Sequence, residues 1–164
     1  MKIRSAVFDD AGQITEIYNH FIRETVVTFE LVPIDASTVW QRIQKVQMQH
    51  TWIVLEVDGS IKGYAYSSAW KERAAYRDSN EISIYLHPTE TGKGYGKLLY
   101  QDLIDRAKKL GVHVLIGGIS LPNDASIKLH EAFGFKKVAQ FEEVGFTFNR
   151  WIDVGYWQLI LKAE

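Results

Sequence analysis

The sequence predicts an α/β protein built on one mixed sheet with helices on both faces. Three observations predict it. Apolar residues switch between strand and helix spacing in the order β-α-α-β-β-β-α-β-α-β-β along 164 residues. A period-2 run, Glu81-Ile82-Ser83-Ile84-Tyr85-Leu86, leads into a turn with three glycines in five residues, Gly92 to Gly96, and then into a helical stripe. The length suits a single domain over residues 1–164, large enough to bury a core without disulfides or a structural metal.

Each element has its own signal. Ile3 to Phe8 is a short first strand, and Asp9-Asp10 offer capping carboxylates to a helix carrying Ile14, Ile17, Tyr18, Phe21 and Ile22. Pro33 breaks the chain, and Asp35 caps a second helix whose buried stripe is Val39, Trp40, Ile43 and Val46. Trp52 to Val57, the hairpin signal Asp58-Gly59 and Ile61 to Trp70 form a strand pair. A polar loop, Lys71 to Asn80, leads into the alternating run, which turns Ile82, Ile84 and Leu86 to one face and Glu81, Ser83 and Tyr85 to the other. The helix after the glycine turn carries Leu99, Leu103, Ala107 and Leu110 on one side and ends at Gly111. His113 to Ile119 is an apolar strand. Asn123 or Asp124 caps a short helix through Ile127, Leu129 and Phe133, closed by Gly134. Strands at about Lys137 to Glu142 and Trp151 to Leu161 finish the chain.

Bulk composition narrows the function. Net charge is −1 and 46% of residues are apolar, a balance without the basic footprint of a nucleic-acid or anionic-membrane binder. The absence of cysteine excludes a Cys acyl-enzyme and Cys-ligated metal. The N-terminal residues Met1 to Asp10 do not read as a signal peptide, and no apolar run approaches the ~18 residues of a membrane span, so a cytoplasmic protein is expected. His20, His50, His87 and His113 are scattered without metal-ligand spacing, and no metal is expected. Asp124 and Asp153 read as caps or turns.

The glycine turn is where chemistry begins. A strand, a glycine-rich turn and a helix N-terminus make an anion site, because glycines let backbone N–H groups close on a phosphate and the helix dipole adds positive charge. The Walker loop places four residues between its first glycine and its Gly-Lys. Here three separate Gly92 from Gly96-Lys97, and Leu98 stands where Ser or Thr is required. The dinucleotide fingerprint needs two residues between its second and third glycines, and Gly94 and Gly96 have one. The residues alone leave two readings, a phosphate cradle of another kind or an unliganded turn.

Ile84-Tyr85-Leu86-His87-Pro88 followed by Thr91-Gly92-Lys93-Gly94-Tyr95-Gly96 resembles motif A of the GNAT superfamily, (Q/R)-x-x-G-x-(G/A). A second signature of that superfamily is matched by Asn123, Ser126, Leu129, His130 and Gly134-Phe135. Asn19-His20-Phe21-Ile22, Lys71 with Arg73 and Tyr76, Leu121-Pro122-Asn123-Asp124 and Trp151 to Gln158 are similar to the phosphinothricin and methionine sulfoximine acetyltransferase branch. Thr91 departs from the pattern, standing where Gln or Arg is usual.

The resemblance implies the GNAT (acyl-CoA N-acyltransferase) fold, a mixed central sheet of about seven strands with helices on both faces. It implies acetyl-CoA as co-substrate. Main-chain groups of Ile84, Tyr85 and Leu86 would line the pantetheine arm, and Gly92, Lys93, Gly94, Tyr95, Gly96 and Lys97 would hold the pyrophosphate. Asn123 and Ser126 would complete the carrier site, although plain helix capping also accounts for Asn123. Glu81 matches the family's general base, which must take a proton from an ammonium before it can attack; a solvated strand-end carboxylate is the bland alternative. His130 stands where many members carry a Tyr that protonates the leaving thiolate, and a packed histidine is the alternative. Phe29, Glu30, Arg73, Tyr76 and Trp151 would form the acceptor pocket, Arg73 reading a carboxylate.

The implied reaction moves acetyl from acetyl-CoA directly to the α-amino group of a small amino-acid analogue such as phosphinothricin, methionine sulfoximine or methionine sulfone. The alternatives are an acetyltransferase for another small amine or a peptide N-terminus, and a non-catalytic acyl-CoA-binding module. Relatives of this kind pair as homodimers, and Phe146, Phe148, Trp151, Tyr156 and Trp157 are the expected surface.

Overall fold

A computed structural model describes residues 1–161; the last three residues of the expected 1–164 domain lie outside the described residues. Seven strands form one sheet in the order β1-β2-β3-β4-β5-β7-β6. They are β1 (Lys2–Ser5), β2 (Trp52–Val57), β3 (Ser60–Ala69), β4 (Ser79–Leu86), β5 (Val114–Ser120), β6 (Lys136–Thr147) and β7 (Arg150–Ile160). The β4–β5 pair is parallel and the rest are antiparallel. Asp58 and Gly59, both at positive φ, make the tight β2–β3 hairpin that their sequence signals.

Four helices cover the sheet: α1 (Ala11–Glu24), α2 (Ala36–Gln47), α3 (Tyr95–Lys109) and α4 (Asp124–Ala132). Strand alternation divides the core. Ile53, Leu55, Ala65 and Ile82 pack with Leu99, Leu103, Ile104 and Ala107 of α3. On the opposite face Trp52, Val54 and Tyr64 pack with Ile14 and Ile17 of α1 and Val39 and Ile43 of α2, with Tyr66 and Tyr85 at the margin. Full burial of each large aliphatic chain is worth about 1.5–3 kcal/mol, so these two stripes hold the layers together.

Several elements differ from expectation for physical reasons. Asp10 sits at the α1 N-cap but makes no cap bond; it accepts from the Val7 N–H and from both terminal nitrogens of Arg4 at 2.7 and 2.8 Å. Burial opposes ionisation of Asp10, yet these bonds outweigh it and hold its carboxyl below the ordinary range. Asp35 does cap α2, accepting from Thr38 N–H at 2.7 Å. Leu110 is exposed because the chain leaves α3 at that point towards Gly111, whose φ is +76. β6 runs five residues beyond Glu142, past an irregularity in which Glu143 adopts φ +50 and gives its N–H to Asp153 at 2.9 Å.

Candidate functional site

β4 and β5 begin as partners and then part. Their pairing covers only Ser79↔Val114, Asn80↔Leu115 and Glu81↔Ile116. Beyond Glu81, β4 stays with β3 as far as Leu86, while β5 stays with β7 as far as Ser120. Each strand is held by its outer neighbour, so a wedge opens between them and leaves the facing backbone edges unpaired. A narrow cavity of about 50 Å³ lies in it, lined among others by Ser83, Ile84, Tyr85, Gly118, Asn123 and Ser126. Ser120 also lines the wedge, and its buried hydroxyl has no hydrogen-bond partner among the described residues. An orphaned hydroxyl beside an open strand edge is a place for an amide-bearing chain.

The glycine turn continues from the end of β4. Gly92 and Gly94 have φ of +77 and +81, a region that disfavours any residue with a Cβ, and their open sides face no atom within 4 Å. Among the described residues, the N–H groups of Gly92, Lys93, Gly94, Tyr95 and Gly96 have no acceptor. This row of free donors at the N-terminus of α3 suits a pyrophosphate. Lys93 pairs with Glu90 at 2.7 Å, while Lys97 is exposed beside the turn. Asn123 accepts from Ser126 N–H at 3.1 Å, so it caps α4 and lines the wedge at once.

Glu81 stands at the fork, the last β4 residue paired with β5. Its carboxylate oxygen reaches across to β5, 3.5 Å from where a Cβ on Gly118 would lie. Tyr156, opposite Gly118 on β7, lines the same spot, with Trp70 edge-on to it at 5.6 Å. Burial pushes the Glu81 carboxyl above its ordinary range, with Lys71 pulling partly back. A half-open carboxylate whose pKa is raised is a stronger proton acceptor than an ordinary one.

His130 is 4% exposed. Its Nδ1 donates to the Ser126 carbonyl at 2.7 Å, which leaves Nε2 to accept from the Tyr100 hydroxyl. Burial lowers its pKa, with the Ser126 carbonyl opposing in part. A neutral imidazole with its only N–H given to a carbonyl has no proton ready for a thiolate. The geometry therefore favours the packed alternative over the acid. Gly117 makes that packing feasible, since a Cβ there would fall 2.3 Å from the His130 ring nitrogen.

None of the expected acceptor residues lines the wedge cavity. Phe29 lies against Gly145 of β6, and Trp151 is exposed, tilted on Phe146 at 4.9 Å. Glu30 is held by both terminal nitrogens of Arg42 at 2.6 and 2.9 Å, which lower its pKa. Arg73 and Tyr76 are exposed on the loop before β4, and among the described residues the Arg73 side chain makes no hydrogen bond or ion pair. Tyr100, Gly118 and Ser120 are not among the expected site residues, and Tyr156, expected on the pairing surface, stands instead beside Glu81. Two signals point to Tyr100 and Gly118: a Tyr on the buried α3 stripe, whose hydroxyl needs a partner, and a Gly117-Gly118 pair inside an apolar strand.

Comparison with known proteins agrees with this architecture. Residues 3–155 match the Acetyltransferase (GNAT) domain family. The chain is 38% identical, over all of its length and 96% of the relative's, to an L-methionine sulfoximine/L-methionine sulfone acetyltransferase from Salmonella typhimurium. It is 37% identical over the same shares to the L-amino acid N-acyltransferase MnaT of Escherichia coli. A phosphinothricin acetyltransferase from Sinorhizobium meliloti, solved in complex with acetyl-CoA, superposes with a TM-score of 0.94 at 36% identity, over 98% of this chain and 88% of that one. The splayed parallel pair, the glycine cradle and these matches lead to one conclusion: the chain belongs to the GNAT family of acetyltransferases.

Proposed function

We propose that the chain acetylates the α-amino group of a small amino acid or analogue, of the methionine sulfone, methionine sulfoximine or phosphinothricin kind, using acetyl-CoA as co-substrate. The observation that carries this is Glu81 at the fork, a carboxylate with a raised pKa where the open β4 edge meets the opposite face of the sheet. Acetyl-CoA supplies an activated acyl group; the chain's residues hold it and prepare the amine. Backbone of Ile84, Tyr85 and Leu86, with Asn123, Ser126 and Ser120, borders the pantetheine arm. The turn from Gly92 to Lys97 offers its N–H groups to the pyrophosphate, a role that needs no side chain at Thr91.

Glu81 takes one proton from the incoming ammonium, directly or through a water, and leaves the lone pair free for attack. The proton released as the amide forms goes to the departing thiolate, so the step balances without an acid from His130. His130 instead fixes Tyr100 and α4 against β5. Arg73, exposed on the loop that leads into β4, is the candidate for the acceptor carboxylate, and Tyr76, Phe29, Glu30 and Trp151 are the further candidates for the acceptor pocket.

The chain acts as one domain in the cytoplasm and pairs with a second copy through the β6–β7 hairpin, where Phe146, Phe148 and Trp151 are exposed. Trp157, 2% exposed, belongs to the core and is unavailable for that surface. Free-thiol release from acetyl-CoA across a panel of amines tests the reaction. Methionine sulfone, methionine sulfoximine or phosphinothricin should accelerate release, and a dipeptide or simple alkylamine should not. Binding of acetyl-CoA with no acceleration by any amine would leave only the carrier-binding module.

A further inference from the structure

A second cavity lies apart from the wedge. It has a volume of about 450 Å³ and lies between α2 and strands β2 and β3. That size falls in the range of small-molecule sites, roughly 300–1,000 Å³. Its floor is aromatic: Trp52 stacks on Tyr66 with centroids 4.2 Å apart, and on Tyr64 at 5.6 Å, all three rings nearly parallel. Val46 of α2 forms part of the roof, and Ser68 and Ala69 close the end nearest β4.

The location is more telling than the size. Strand alternation puts Trp52, Tyr64, Tyr66 and Ser68 on one face of the sheet, opposite α3. Ser68 pairs with Glu81, so the carboxylate is one strand beyond the cavity's end, on the same face. The charge of Glu81 also raises the pKa of Tyr66, after the larger effect of burial. An amine held at Glu81 therefore has the cavity one to two strand spacings away, about 5–10 Å. The carrier does not compete for this space, since the glycine turn leads into α3 on the other face.

The lining also selects. Arg42 is paired with Glu30, the lining carries one further charge of each sign in Lys45 and Glu72, and burial lowers the pKa of His50. Flat aromatic walls without net charge suit a polarisable, uncharged group. We propose that this cavity receives the acceptor's side chain, so that the stacked rings of Trp52, Tyr64 and Tyr66 and the width under Val46 set which side chains fit. The proposal rests on the α-amine reading given above.

Initial rates at saturating acetyl-CoA with methionine sulfone, phenylalanine and alanine, for the unaltered chain, Val46→Phe and Val46→Ala, test it. The unaltered chain should show kcat/KM for both long acceptors at least about tenfold above alanine. Val46→Phe should raise the KM for methionine sulfone at least about tenfold and leave alanine within about twofold. Val46→Ala should lower the KM for phenylalanine, and it decides the matter if thermal unfolding shows that the Phe variant is not folded. Equal effects on alanine and the long acceptors, or no effect on any, would overturn the cavity while leaving the α-amine reading intact. Failure of all three acceptors with the unaltered chain, while a non-amino-acid amine is acetylated, would remove the α-amine reading itself and the cavity proposal with it.

Discussion

The two sides of this site are made of different material. The proposed carrier side is backbone from one nearly continuous stretch, β4 through the glycine turn to the start of α3. The proposed acceptor side is a set of side chains from separate segments: Glu81 on β4, Tyr66 and Ser68 on β3, Tyr156 on β7, Arg73 in a loop and the aromatic cavity under α2. Backbone can present a row of donors to any phosphate, so that side is suited to one invariant carrier. Side chains differ in size and charge, so the other side can be tuned to an acceptor without disturbing the first. The site thus separates general binding from specific binding along the line where β4 and β5 part.

The sharpest way to break this comparison is at the fork itself. Glu81→Gln should lower kcat by about 10²–10⁴-fold, the usual contribution of a positioned base, with the KM for acetyl-CoA unchanged. Because burial raises the Glu81 pKa, the acid limb of kcat/KM should lie above the ordinary carboxylate range and vanish in the variant. Stability should move the other way. A raised folded-state pKa gives a contribution fully present below the unfolded pKa and lost as pH rises through the folded one. At neutral pH the ionised carboxylate is therefore a cost, and Glu81→Gln should raise the melting temperature there and leave it unchanged at acid pH. Thermal unfolding at the two pH values checks the sign. Gly94→Val attacks the other side alone. A β-branched residue at φ +81 costs roughly 1–2 kcal/mol, which should raise the KM for acetyl-CoA about tenfold with the acceptor KM unmoved.

The same division explains what the sequence disclosed. Glycine takes φ near +80 without the strain that a Cβ brings, so Gly92 and Gly94 announce the turn, and period-2 alternation from Glu81 to Leu86 identifies the strand beside it. The order of elements along the chain and the two faces of β4 followed from apolar spacing, as Ile82 and Tyr85 in opposite clusters demonstrate, whereas the order of the strands within the sheet did not. The ends of β6 were obscured because Glu142-Glu143 breaks the alternation locally while Asp153 repairs the backbone from the neighbouring strand. His130 was legible as a position but not as a state, since its charge is set by burial and by the Ser126 carbonyl, and its ring is fixed by Tyr100, 30 residues away. The cavity under α2 left no motif: Val46, Trp52 and Tyr66 each look like ordinary core residues, and the space among them exists only after folding.

A finer adjustment of the comparison is Gly118→Ala. The added carbon would lie 3.1 Å from the Tyr156 ring and 3.5 Å from the Glu81 carboxylate, so the ring must yield by a few tenths of an ångström. Glu81 keeps its chemistry but shifts its aim, and kcat should fall severalfold, on the order of three- to tenfold, with the KM for acetyl-CoA unchanged. Steady-state kinetics with both substrates varied separates this from damage to the carrier wedge.

The smallest effect on turnover should come from the Tyr100–His130 pair, although both residues line the wedge. Tyr100→Phe removes the donor to His130 Nε2 and leaves a buried acceptor unsatisfied, a cost of about 1–3 kcal/mol in stability. If His130 serves packing, with its Nδ1 proton committed to the Ser126 carbonyl, kcat should change by less than about twofold and the alkaline limb of the pH profile should stay in place. Chemical denaturation and a pH–rate profile of the same variant read the two consequences separately. A tenfold loss of kcat with a displaced alkaline limb would instead make this buried pair the source of the thiolate's proton, and the division between a backbone carrier side and a side-chain acceptor side would no longer hold at α4.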